Sequence, residues 1–380
     1  MKIGLLLPRS VLYPSIAFDL HDGFRAYLKK EGLEANYQIV SVNIGVGAKH
    51  EEIYAKCEQM LLDGVDIVVG YINPIAAQFI HPLFETSGRK LLVLDSGYHF
   101  PPFAGKLDNA YFISLQGNLC SRAITRKATA QGHKDFAFAC SFYDAGYRIP
   151  YSYAMSVAEQ GANILFNHVG PLKKAEFTLQ PLAEYLDNNE VTALLTSYCG
   201  DMTEDFFREG QRYGLFARHS VYGTGFMADE GWISKIPHSG NDWYSAVPWS
   251  LKLDTPENNE FVAMLGKTGH GPKANLFSLL GWEAAQVIVG TQNLSEDIAD
   301  GYSYKSPRGA VYINPSNRFT EAPVYYATVT KDVATGNGCQ VDVIEVEGLE
   351  EDRKAMDKNI LAMLDETANS WLNSYACLDS

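Results

Sequence analysis

The first hundred residues alternate between short apolar runs and amphipathic stretches. Ile3–Leu7 is a continuous apolar run, and Ser15–Lys30 carries Ile16, Leu20, Phe24 and Leu28 at helical spacing. Tyr37–Asn43 reads as a strand. Glu51–Leu62 reads as a helix with Ile53, Cys57, Met60 and Leu61 on one face. Asp66–Gly70 is apolar after its first residue, as expected of a strand whose two sheet faces are both covered by helices. A helix after Pro74 and a strand at Lys90–Leu94 complete a βαβ series, which predicts a parallel sheet.

The rhythm restarts after Gln116. Asp135–Cys140, Asn163–Asn167, Thr192–Thr196 and Ser220–Tyr222 read as strands, with helices at Tyr151–Glu159, Leu179–Asn188 and Thr203–Tyr213. A helix follows at Leu276–Gly290. Ala310–Val346 then changes to short strands around Val311, Tyr312, Tyr325, Tyr326 and Val341–Ile344. Leu349–Leu378 predicts a last helix, with Met356, Ile360, Leu364, Trp371 and Tyr375 on one stripe; it either docks on the body or joins two subunits, leaving monomer or dimer open. The fold class predicted is α/β, with two Rossmann-like lobes of parallel sheet flanked by helices. At 380 residues the chain exceeds one ordinary core, which agrees with two lobes.

Composition narrows the function. A formal charge of −14 disfavours nucleic acid, which selects a basic surface, and anionic membranes. No run approaches the roughly 20 apolar residues of a membrane span. Ile3–Pro8 is too short for a signal peptide, so the chain as written predicts a cytoplasmic protein, or a periplasmic one if its natural start lies upstream. Six scattered cysteines read as buried thiols, and nine isolated histidines predict no metal site. No cofactor fingerprint is present: G-x-G-x-x-G after the first strand, G-x-S-x-G and the phosphate-loop pattern are all missing, which predicts a protein that is not an enzyme. The high aromatic content of 22 Tyr, 19 Phe and 5 Trp suits small-molecule pockets.

Several segments in order, KIGLLLP followed by a helix with Gly23, DGVDIVVGYINPIAAQ, AEFTLQPLAEYLDNNEVTALLTSY and PRGAVYINPSNRFTEAPVYYATV, resemble the type I periplasmic binding-protein superfamily. The branch they are similar to comprises the Leu/Ile/Val-type substrate-binding proteins of ABC transporters. The resemblance covers about residues 2–345. It implies two lobes joined by three crossovers and closing on one ligand. It also implies lobe 1 at 1–116 plus 250–307, lobe 2 at 117–249 plus 308–346, and a C-terminal extension at 347–380.

The ends of strands in open parallel sheets form the lip of a cleft, and the resemblance implies ligand contacts there. After the third and fourth strands these positions are Tyr71 and Asn73, then Ser96, Gly97, Tyr98 and His99. Asn73 is either an amide donor or a helix start before Pro74. Tyr143, Asp144 and Tyr147 are lid candidates on the facing lobe, with Tyr198, Cys199 and Asp201 at the next strand end. Asp201 reads first as an N-cap and second as a partner for an ammonium group. Phe226 stands where relatives carry an acid. Tyr13 closes the pocket from the other side, and Trp249 lines it or braces the hinge. The expected function is non-catalytic binding of a small polar or amino-acid-like solute for an ABC permease. The alternative is a cytoplasmic sensor read by a regulatory protein.

Overall fold

The computed structural model describes residues 1–142, 148–234, 236, 241–266, 274–331 and 339–364. The first sheet has five parallel strands in the order β2-β1-β3-β4-β5: Gln38–Gly45, Lys2–Pro8, Ile67–Tyr71, Lys90–Asp95 and Ala110–Ser114. Strands β3, β4 and β5 are buried almost throughout, whereas the edge strand β2 is largely half-exposed. That is the burial their sequences predict, since helices such as Ile16–Lys30 and Pro74–Ser87 cover both faces.

The second sheet begins with five parallel strands. They are β6 (Asp135–Cys140), β7 (Asn163–Val169), β8 (Ala193–Ser197), β9 (Ser220–Gly223) and β10 (Trp243–Val247). Antiparallel β14 (Tyr325–Lys331) and β15 (Cys339–Glu345) extend it beyond β10, giving seven strands. A third, antiparallel sheet joins β11 (Ser303–Ser306), β12 (Gly309–Ile313) and β13 (Thr320–Glu321). Phe319 bridges to Phe112 of β5, and their rings stack 4.2 Å apart. This pairing places residues 309–321 beside the first sheet, whereas the resemblance implied 308–346 in the second lobe.

The chain crosses between the sheets after β5, after β10 and after β13. Gln116, in the left-handed region at φ 56°, ties the first crossing to the third. Its side-chain amide donates to the Ala322 carbonyl at 3.1 Å and accepts from the Ala322 N–H at 3.2 Å, as a strand neighbour would. Arg308 reaches the same place from the turn between β11 and β12. It forms a buried, two-pronged ion pair with Glu283 at 2.7 Å and donates to the Ser114 carbonyl at 2.8 Å.

The last described helix, Leu349–Leu364, docks over these crossings. Arg353 donates to Gln116 Oε1 and to the Ala322 carbonyl, Asp352 pairs with Arg126, and Ile360 packs on Phe100. The continuation of the predicted stripe to Trp371 and Tyr375 lies outside the described residues.

Candidate functional site between the lobes

Two helices set one wall of the cleft. Ile16–Lys30 and Leu276–Gly290 cross through a reciprocal pair of glycines: a Cβ on Gly23 would lie 1.9 Å from the Ser278 carbonyl oxygen, and one on Gly281 would lie 2.0 Å from that of Leu20. Only two residues without side chains allow so close a crossing. It brings the N-termini of both helices to the cleft. There Asn275 caps the second helix, its side chain accepting from the Phe277 and Ser278 N–H groups while the Ser278 hydroxyl bonds back. The Ser15 hydroxyl donates to Asp19 at 2.7 Å.

Aromatic rings from both lobes then meet. Tyr13 and Phe277 lie edge-on at 5.0 Å, and Tyr71 meets Phe277 at 5.8 Å. From the second lobe, Phe226 approaches Tyr13 at 5.9 Å and Tyr98 at 6.2 Å. Gly200 of the second lobe sits so near Leu12 of the first that a Cβ there would be 3.0 Å from the Leu12 carbonyl oxygen. The lobes are therefore closed on one another.

A cavity of about 420 Å³ opens beside these rings. Tyr13, Asp19 and Phe277 line it from the first lobe, Asp229, Glu230 and Trp232 from the second, and Trp249 from the second crossing. Its volume suits a small solute. Burial pushes the Asp19 carboxyl above its ordinary value, against hydrogen bonds from Ser15 and Asn275 that pull it down. Burial likewise raises Glu230, although the Ser250 hydroxyl and the Leu251 N–H both donate to it. Asp229 caps the short helix Glu230–Ile233, accepting from the Gly231 N–H at 2.8 Å. A group bringing positive charge or hydrogen-bond donors is what such an acidic, partly desolvated wall favours.

Ser96, Ser197 and Thr224 stand at the ends of β4, β8 and β9, each at most 1% exposed. Their hydroxyls have no hydrogen-bond partner among the described residues.

The other residues singled out from the sequence divide by place. Tyr13 and Trp249 line the cavity, and Phe226 adjoins it through Tyr13. Trp249 also braces the second crossing, donating to Asn258 at 2.7 Å and lying edge-on to Phe261. Tyr71 and Tyr98 belong to the aromatic cluster behind the cavity. Tyr198 stacks on Phe206 at 4.6 Å within the second lobe, and Cys199 beside it is fully buried. Asn73 caps the helix Pro74–Ser87, accepting from the Ala76 N–H at 2.8 Å. Gly97, at φ 79°, is wedged under the first crossing, where a Cβ would lie 2.4 Å from the Gln116 nitrogen. His99 pairs with buried Asp95 at 3.3 Å and faces a different cavity. Tyr143, Asp144 and Tyr147 lie outside the described residues.

One expectation is corrected. Asp201 is not an N-cap: Gly200 holds that position at φ 55°, and Asp201 is the first helical residue, ion-paired with Lys174. The sequence reading missed Asp19, Asp229, Glu230 and Phe277. For Asp19 a signal existed, because a carboxylate stands inside the otherwise apolar stripe of Ile16, Leu20 and Phe24. Nothing local distinguishes Asp229 and Glu230 from an ordinary helix start.

Residues 1–333 match the model of the periplasmic binding protein family. The Leu/Ile/Val-binding protein homolog 6 of Brucella abortus is 20% identical over 366 residues, 92% of each chain. Among solved structures, a solute-binding protein of an ABC transporter from Rhodopseudomonas palustris HaA2, in complex with p-hydroxybenzoic acid, superposes with a TM-score of 0.75. It is 19% identical, over 93% of this chain and 99% of that one. A closed Leu-, Ile-, Val-, Thr- and Ala-binding protein from Brucella ovis gives a TM-score of 0.72 at 14% identity, over 91% and 95%. With its family model covering most of its length, the chain belongs to the periplasmic binding protein family.

Proposed function

We propose that this protein binds one small solute between its lobes, without chemistry, and delivers it to an ABC-type permease. The observation that carries the reading is the interlobe cavity, whose walls come from both lobes and from a crossing segment. A ligand there touches both lobes in the closed state, so binding and closure are coupled. The family's description favours a periplasmic location, and the similar ABC-transporter solute-binding protein favours the transport role, over a cytoplasmic sensor.

The preferred solute is compact, carries an ammonium group or several donors, and has an apolar or aromatic body. Asp19, Asp229 and Glu230 face its polar end, and Tyr13, Trp232, Trp249 and Phe277 take its body. An amino acid or aromatic amine fits this wall better than the p-hydroxybenzoic acid bound by the R. palustris structure, because a benzoate brings a negative charge with no ammonium group to face the carboxylates.

The test is thermal unfolding of protein refolded to strip retained ligand, against amino acids, aromatic amines and benzoates. A ligand at 100 times its dissociation constant adds about 2.7 kcal/mol of stability. Stabilisation by amines or amino acids is expected. Stabilisation by benzoates alone overturns the ligand class, and no stabilisation by any member overturns the solute-binding role.

A further inference from the structure

A second cavity of about 410 Å³ lies away from the interlobe one, enclosed by the loop after β4, the first crossing, the β12–β13 hairpin and the C-terminal helix. One side is apolar: Phe103 and Phe319 from the first lobe, Leu119 below, and Met356 and Ile360 from the helix. The other side carries Glu321 and Asp357. Arg353 also lines the cavity, but its guanidinium already donates to Gln116 and to the Ala322 carbonyl. We propose that this cavity is a second small-molecule site, taking an amine on a flat apolar body.

Charge complementarity commits the site to a cation. Burial, then the charge of Glu321, pushes the Asp357 carboxyl up, and Arg353 opposes this in part. An ammonium group placed between the two carboxylates relieves their repulsion, and no anion can do so. Flat apolar bodies match the Phe103 and Phe319 rings of the wall, the second of them stacked on Phe112 behind it. The back of the loop is fixed by the buried Asp95–His99 pair and by Gly97 under the crossing. The cavity is therefore built into the hinge.

Met356 lines this cavity and does not line the interlobe one, so it serves as a reporter. The full chain, labelled with carbon-13 at its methionine methyl groups, is titrated with benzylamine, and the Met356 signal is assigned with Met356→Leu. A saturable shift of Met356 is expected. It should weaken at least fivefold in Asp357→Asn combined with Glu321→Gln, and benzyl alcohol should bind at least fivefold more weakly than the amine. Asp357→Asn alone serves if the double variant melts lower than the native chain. No saturable shift of Met356, shifts confined to other methionines, equal binding of the alcohol, or unchanged affinity in the variants would each overturn the assignment.

Discussion

Asp19 and Glu230 are carboxyls raised by burial, and that direction fixes how pH acts on them. Their ordinary values are 3.8 and 4.5, and both lie higher in the folded chain. Between the ordinary and the raised value, the native state holds a proton that the unfolded chain has released. Stability from these groups therefore falls as pH rises through that window, and Asp19→Asn with Glu230→Gln should flatten the fall in chemical denaturation. A cationic ligand does the reverse: its affinity should climb through the same window as the carboxylates ionise. The buried hydroxyls of Ser96 and Thr224 make a complementary prediction. Neither has a partner among the described residues, so Ser96→Ala should not lower the melting temperature of stripped protein. If the hydroxyl bonds the ligand, the same change costs about 0.5–1.5 kcal/mol of binding, read by titration calorimetry.

At the scale of elements, the glycine crossing decides where the cleft wall stands. Replacing a helical glycine by alanine ordinarily gains up to about 1 kcal/mol of helix propensity. At Gly281 the new Cβ would lie 2.0 Å from the Leu20 carbonyl oxygen, so overpacking of about 1–3 kcal/mol should win. Gly281→Ala should lower the urea midpoint and weaken solute binding together, because the helix that moves carries Phe277. The Arg308–Glu283 pair is the second such element. Arg308→Met strands a fully buried carboxylate and should cost about 3–5 kcal/mol by urea unfolding, most of it recovered by adding Glu283→Leu. Elements of this kind also mark how much the sequence discloses. The apolar runs of β1, β3, β6 and β8 and the stripe of Ile16–Lys30 were legible because each buries a periodic face against its own neighbours. The placement of the hairpin at 309–321 was not, since it depends on contacts distant in sequence: Phe319 on Phe112, the Phe112 N–H on the Arg318 carbonyl and the Ser114 N–H on the Thr320 hydroxyl. Asp229 and Glu230 were invisible for the same reason: they become a cleft wall only when Tyr13 and Phe277 arrive from distant parts of the chain.

The whole molecule is closed, with rings of both lobes in contact and Gly200 against Leu12. Opening must separate those surfaces while the crossings turn. Gln116, Ala322 and Arg353 hold two of the crossings in one hydrogen-bonded unit, which favours rotation of the lobes as rigid bodies. Closure on a ligand is then the functional event, and the most direct test is calorimetric titration of refolded, ligand-free protein with the best-stabilising amine or amino acid, native against Tyr13→Ala. The prediction is one site per chain, with affinity at least tenfold lower in the variant, about 1.4 kcal/mol, because Tyr13 supplies both the cavity wall and the contact across the cleft. Binding of equal strength in the two proteins would contradict the account by placing the solute outside the interlobe cavity.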